Sequence, residues 1–273
     1  MSKLALPNVT LVMVETLENT LAMLAVEECL RVAEFSEVLI LTNDFGPYLF
    51  SAPFPQHNTN ALRFHEIPNA PDKLGWCRQS WYDVPPLLQT THCLQIQWDS
   101  WIWDPTMWQD EFLQYDYIGA PWGWFKDGKD VGNSGFSLVS TRLKRYLASH
   151  RLEFPCDSTT EDGLICRKYR AQLELAGFVW APESVAYKFS YEGCAGNPPT
   201  KHFGFHGAFN FAHVLPHDKV LERAELMINS PYISKSYIMQ AFCQKNPEII
   251  KELVAAGGHD IDTLTSKGAT AHG

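Results

Sequence analysis

Apolar and polar positions change period twice within the first forty residues. Val9-Thr10-Leu11-Val12-Met13-Val14 is a short apolar run of strand type. Leu17, Leu21, Leu24, Ala25, Cys29 and Val32 then recur at helical spacing, and Glu37 to Thr42 forms a second strand closed by Asn43-Asp44. Strand, helix and buried strand in this order predict a parallel sheet, with ligands expected beyond the strand C-termini. Glu15-Thr16 and Asn43-Asp44 stand at those ends.

Residues 45–75 are rich in Pro, Asn and His and read as loops around one short strand near Phe64 to Ile67. A helix is expected over Trp76 to Tyr82, a strand over Cys93 to Gln97, a strand over Phe136 to Val139 and a helix over Thr141 to Ser149. Glu161 to Ala176 reads as one helix ended by Gly177, followed by a strand over Phe178 to Ala181. Residues 98–135 and 198–210 are aromatic and glycine-containing, with little periodicity. Two helices are expected within 217–256, separated near Ser230-Pro231, and the tail from Thr265 to Gly273 reads as disordered. The pattern contains no repeat and no linker, so one domain over 1–215 is expected, with helices over 216–264 packed on it as a C-terminal appendage.

Composition narrows the class. The 273 residues suffice for one large core, and 22 Lys+Arg against 31 Asp+Glu give a net charge of −9. That balance argues against nonspecific nucleic-acid binding by the whole surface. No stretch approaches the ~20 apolar residues of a membrane span. Met1 to Pro7 is too short and mixed for a secretory signal. The seven cysteines are scattered without a CxxC pair, which fits reduced thiols and a cytoplasmic location.

Four segments concentrate candidate chemistry. Gln97-Trp98-Asp99-Ser100 follows a buried strand, where a carboxylate can hold Mg²⁺ or Mn²⁺ against a diphosphate; spacing alone favours the plainer reading, an Asp in a simple turn. Gly132-Asn133-Ser134-Gly135 spaces two glycines so that backbone can approach a ligand, or makes an ordinary turn into the next strand. Ser158 to Glu161 fits a capping box, while Glu161-Asp162 offers a carboxylate as general base, its pKa lowered by the helix N-terminus. His202 and His206 share one side of an extended segment and can ligate metal, bind phosphate or be satisfied by backbone. Trp98, Trp101, Trp103, Trp108, Trp122 and Trp124 add aromatic faces on which sugars and bases stack, although most aromatics are core.

The order and flanks of these segments resemble a family of bacterial domains of unassigned function classed with GT-A glycosyltransferases. The similar stretches are Leu6 to Val12, Leu94 to Ser100, Glu111 to Trp122 with its Tyr-Asp-Tyr-Ile-Gly-Ala-Pro-Trp run, Val131 to Ser140, Glu161-Asp162, and Phe203 to Gly207. The resemblance implies a GT-A-like, Rossmann-like α/β fold with a mixed, mostly parallel sheet flanked by helices. It implies an enzyme that moves a sugar from a nucleotide-sugar donor to an acceptor hydroxyl, with inversion and assistance from Mn²⁺ or Mg²⁺. Asp99 and His206 would be the metal ligands, Asp162 the general base, and Glu161 the group that binds acceptor hydroxyls. Thr16, Asp44, Gln97, Trp98, Gly132, Asn133, Ser134 and Gly135 would line the donor and acceptor sites.

Gln97 departs from the family pattern, standing where the first acid of an Asp-x-Asp is usual. The acceptor is left open among glycan, lipid, protein and modified nucleic acid, and so is the oligomeric state. A carbohydrate-binding protein without catalysis, a nucleotidyltransferase, and a fold member kept for protein contacts through residues 217–256 remain rivals.

Overall fold

The computed structural model describes residues 2–49, 62–70, 72–125, 127–150, 152, 160–193 and 201–255. The chain divides into two compact units, residues 1–206 and 207–273. Ser158, the expected capping serine, and the tail from Thr265 lie outside the described residues.

The first unit opens with strand β1 (Leu4–Val14), helix α1 (Asn19–Val32), strand β2 (Ala33–Thr42) and the single turn α2 (Gly46–Leu49). Strand β3 (Leu62–Glu66), helix α3 (Lys73–Tyr82), and strands β4 (His92–Ile96), β5 (Ser100–Ile102) and β6 (Tyr117–Ile118) follow. Strand β7 (Phe136–Ser140) leads into helix α4 (Thr141–His150). Helices α5 (Glu161–Gly163), α6 (Arg170–Leu175) and α7 (Glu183–Phe189), and strands β8 (Ser190–Tyr191) and β9 (Gly204–His206), complete the unit.

Six strands form the main sheet in the order β3-β2-β1-β4-β7-β6. The first four run parallel, and β7 and β6 alternate in direction beside them. The pattern predicts the parallel part, and the mixed, mostly parallel α/β sheet is the one that the resemblance implies. Its central strands are buried on both faces, which explains the unbroken runs Leu11 to Val14 and Leu39 to Leu41. Helix α1 packs through Leu21, Ala22, Ala25, Val26, Cys29 and Leu30, a stripe at helical spacing.

Four expectations change, one of them in the C-terminal part, where residues 217–256 hold three helices instead of two. Strand β1 starts at Leu4, with its register to β2 broken between Leu6 and Thr10, where Pro7 has no amide hydrogen to give. The expected helix from Glu161 to Ala176 is interrupted by a π turn over Leu164–Lys168 and resumes as α6, with Gly177 at φ +86° behind it as expected. Phe178 to Ala181 is not a strand; a single bridge joins Trp180 to Tyr117.

A second sheet, order β5-β9-β8, was not legible as strands. Part of the tryptophan cluster supports it: Trp101 meets Phe205 edge-on at 4.6 Å, and Trp108 packs against Phe112 and Phe203.

In the second unit, α8 (Phe211–Val214), α9 (His217–Asn229), α10 (Tyr237–Lys245) and α11 (Pro247–Ala255) form a helical array. His217 pairs with Glu252 at 2.7 Å, joining α9 to α11. Among the described residues no helix is long and apolar enough to cross a membrane. Five described cysteines (29, 77, 93, 166 and 243) are buried free thiols.

Candidate active site

Strand direction decides which segments meet. β1 and β4 end together, so Glu15-Thr16 and Gln97 share one edge of the main sheet. β7 runs against β4 with Phe136 opposite Ile96, so the lead-in to β7, residues 132–135, reaches that same edge. Gln97 N–H donates to the Gly135 carbonyl at 3.0 Å and closes the corner. In the second sheet Ser100 stands opposite His206, next to Asp99, while Tyr191 stands opposite Phe205 and carries Glu192 alongside His206.

His206 is the hub. Its Nε2 lies 3.4 Å from Asp99 Oδ1 and 3.2 Å from Gln97 Oε1. Its Nδ1 lies 3.1 Å from Glu192 Oε1 and 2.9 Å from Asn133 Nδ2. Burial alone lowers the imidazole pKa, but the charges and hydrogen bonds of Asp99 and Glu192 outweigh it and raise it to about 10. His202 turns elsewhere, with Nδ1 on the Tyr187 carbonyl and its ring stacked on Tyr191. Burial lowers its pKa, and backbone satisfies Nδ1 only, since Nε2 is buried without a partner among the described residues.

The glycine segment makes room for side chains. A Cβ on Gly135 would fall 2.2 Å from the His206 ring, and one on Gly132 would fall 2.1 Å from the Trp122 ring. The Tyr-Asp-Tyr-Ile-Gly-Ala-Pro-Trp run supports the segment from behind. Tyr117 OH donates to the Asn133 carbonyl at 2.9 Å, and a Cβ on Gly119 would fall 1.9 Å from the Gly132 carbonyl oxygen. Asp116 accepts Arg142 Nε at 2.6 Å and Val179 N–H at 2.9 Å, which fixes β6. Asn133 sits at φ +66°, a region that Asn tolerates better than most residues. Its Oδ1 accepts Phe136 N–H at 3.2 Å, and the Ser134 carbonyl accepts Gln95 Nε2 at 3.3 Å.

Glu161 and Asp162 part company. Helix α5 is capped by Thr160, whose side chain accepts Gly163 N–H at 3.1 Å, and Glu161 does not reach back to the cap. Glu161 points inward, only 1% exposed, to Lys144 Nζ at 2.8 Å, Gln95 Nε2 at 3.0 Å and Ser80 Oγ at 3.1 Å. Lys144 is equally buried and also donates to Gln95 Oε1 at 2.6 Å. The expected contact of Glu161 with acceptor hydroxyls is therefore replaced by a buried ion pair.

Asp162 stays partly exposed and accepts Gly163 N–H at 2.9 Å. Its pKa is raised rather than lowered. Burial raises it most and the charge of Glu192 adds to that, against Thr160, Gly163 and Lys73.

The expected donor residues are placed as follows. Thr16 is buried, and its Oγ1 accepts Ala70 N–H at 2.9 Å. Glu15 beside it receives the N–H groups of Thr16, Leu17 and Glu18 at 2.8–3.2 Å, and burial raises its pKa with help from Asp99. Asp44 is exposed and accepts Gly46 N–H at 2.8 Å. Trp98 is largely buried.

Asp99 and His206 could give a divalent ion two ligands, one anionic oxygen and, once the Nε2 proton is displaced, one imidazole nitrogen, with Gln97 Oε1 as a neutral oxygen beside them. Among the described residues no three His, Cys, Asp or Glu side chains form a group that could hold an ion alone. Diphosphate or water oxygens would have to complete the shell.

Glu192 and Lys144 lie outside the four candidate segments of the sequence. β8 has two residues, too few for a period. Lys144 did carry a signal: it lies three positions from both Thr141 and Leu147 on the buried face of α4, where a lysine demands an acid.

Residues 78–206 match the model of a family described as a protein of unknown function (DUF5672). No curated protein matches the chain. Among solved structures it is similar to a mannosyltransferase, PcManGT from Pyrobaculum calidifontis in complex with GDP-Man and Mn2+ (10% identity, 94% of this chain and 77% of that one, TM-score 0.44). It is also similar to a glycosyltransferase involved in the glycosylation of the major capsid of PBCV-1 (13% identity, 72% and 92% covered, TM-score 0.42). A third is S. aureus TarS 1-349 in complex with UDP-GlcNAc (12% identity, 88% and 73% covered, TM-score 0.39). The matched family stretch contains Asp99, Glu161, Asp162, Glu192 and His206, and its description gives none of them a role.

Proposed function

We propose that this chain is a glycosyltransferase that moves a sugar from a nucleotide-sugar donor to an acceptor hydroxyl, with inversion. One observation carries the reading. An anionic corner, with Asp99 and Glu192 flanking a single imidazole and Glu15 in the field of Asp99, lies at the C-terminal edge of the parallel strands, and a raised-pKa carboxylate, Asp162, feels the charge of Glu192. Acids gathered around so little positive charge suit a cation and, through it, a diphosphate. The edge where parallel strands end is where α/β sheets take nucleotides.

In this reading Asp99 and His206 hold Mn²⁺ or Mg²⁺, which when bound neutralises charge on the leaving diphosphate. Gln97 and Trp98 border the donor, as do Thr16 and Asp44 at the ends of β1 and β2. Asp162 takes the proton from the acceptor hydroxyl as that oxygen bonds to the anomeric carbon. The bond from that carbon to the diphosphate oxygen breaks, and a nucleoside diphosphate leaves. A raised pKa suits Asp162 to this task, because a stronger base removes a hydroxyl proton more readily.

Thermal unfolding with a panel of nucleoside diphosphates and nucleotide-sugars, with and without Mn²⁺, tests the reading. A ligand at one hundred times its Kd stabilises the folded state by about 2.7 kcal/mol. The expected result is a metal-dependent shift with one nucleotide class, followed by release of its diphosphate on turnover. No shift at millimolar ligand overturns the reading, and release of pyrophosphate from a nucleoside triphosphate points to a nucleotidyltransferase.

A further inference from the structure

Held between Asp99 and Glu192, the His206 ring carries a proton on each nitrogen; an ion ligated by the ring would displace one of them, and the surrounding groups differ over which neutral form is left. Asn133 Nδ2 is a donor, because its own Oδ1 is engaged by Phe136 N–H; at 2.9 Å from Nδ1 it favours a bare Nδ1. The ring proton would then sit on Nε2, facing Asp99 and Gln97, and Nε2 could not ligate an ion. Glu192 Oε1 is an acceptor 3.1 Å from the same Nδ1 and favours the opposite state, with the proton on Nδ1 and a lone pair on Nε2.

We propose that Glu192 is the positioning residue that makes His206 a metal ligand, by holding the ring proton on Nδ1 and leaving Nε2 bare toward Asp99. The inference rests on the metal-assisted reading above. A carboxylate behind a ligating histidine fixes both its tautomer and its ring angle.

Two further features support the assignment. Glu192 makes its single hydrogen bond among the described residues to His206, and its Oε2 is buried without a partner there, so no other element explains the orientation of this carboxylate. The pairing is also enforced by the fold. β8 runs parallel to β9 with Tyr191 opposite Phe205, which carries Glu192 to His206, while Gly135 leaves the space into which the ring fits. Asp99 reaches Nε2 from the other side through the register of β5.

The test measures Mn²⁺ affinity of the full chain, from the paramagnetic resonance of free Mn²⁺, alone and with UDP or GDP. It compares wild type with Glu192→Ala, Glu192→Gln and His206→Ala. Glu192→Ala should weaken Mn²⁺ binding about 10- to 100-fold, the usual effect of removing such a partner. Glu192→Gln should retain most of the affinity, because an amide oxygen still accepts the Nδ1 proton. A role through charge alone would make the Gln and Ala variants equal, and that result overturns the proposal. So does a folded Glu192→Ala variant that binds Mn²⁺ like wild type while His206→Ala does not. If His206→Ala also binds like wild type, the metal assignment of the preceding section falls, and this inference falls with it. Circular dichroism and melting temperature establish that each variant is folded.

Discussion

Two charged neighbourhoods lie on either side of the Glu161-Asp162 pair, and they are built on opposite plans. Behind the pair, Glu161 meets Lys144, Gln95 and Ser80 in a closed network in which a full negative charge faces a full positive one. In front, Asp99 and Glu192 flank one imidazole, Glu15 lies in the field of Asp99, and Asp162 feels the charge of Glu192. The first arrangement is neutral and complete; the second is in electrostatic deficit. A deficit is unfavourable for folding and useful for binding, so the contrast separates the group that holds the frame from the groups that await a ligand.

Disrupting the front should remove chemistry and leave the frame. Asp162→Asn should reduce kcat by about 10²- to 10⁴-fold with little change in melting temperature. Near-wild-type turnover would take Asp162 out of the base role. In the wild type, kcat/KM should fall as pH drops and Asp162 takes up a proton. Because burial and Glu192 raise its pKa, against Thr160, Gly163 and Lys73, that acid limb should lie above the ordinary aspartate value of about 3.9. A limb at or below that value would contradict the described environment.

Disrupting the back should do the reverse. Lys144→Ala leaves Glu161 buried without its cation and should destabilise the fold by about 3–5 kcal/mol, read from denaturant unfolding. A loss under about 1 kcal/mol would mean that the network is not the frame described here.

Gly135→Ala tests the seam between the two. Its methyl group would overlap the His206 ring, so overpacking of about 1–3 kcal/mol is expected, with loss of the Mn²⁺-dependent nucleotide shift. Retained metal-dependent binding would show that His206 need not keep its place.

The smallest effect should come from Gln97→Asp, which deepens the deficit. One added carboxylate beside His206 Nε2 should tighten Mn²⁺ by about 1 kcal/mol, measured by calorimetry.

The large elements were legible from the chain because burial on both faces writes long apolar runs, as in Leu11 to Val14 and Leu39 to Leu41. The order of β1, α1 and β2 followed directly. Asp99 and His206 were marked as ligand candidates, and the register of β5 on β9 brings them together. What was missed has a common cause. β5, β8 and β9 hold two or three residues each, shorter than any readable period, so Glu192 could not be placed next to His206. The Glu161-Asp162 pair could not reveal which acid turned inward, because neighbours on a helix point about 100° apart. Only the lysine on the buried face of α4 distinguishes them. The two glycines suggested open backbone, yet Gly132 and Gly135 are spaces for Trp122 and His206, and that depends on neighbours far along the chain.

The smallness of the second sheet has a consequence of its own. β1 and β2 share a long buried pairing, whereas β8 pairs with β9 over two positions and β5 with β9 over three. Opening of so short a sheet requires few hydrogen bonds to break at once, and local opening is easiest where few are shared. Backbone amides of Ser100–Ile102 and Gly204–His206 should therefore exchange with solvent deuterium well before those of β1, and ligand should slow them most. The metal-facing corner would then be the part of the first unit that binding itself finishes folding.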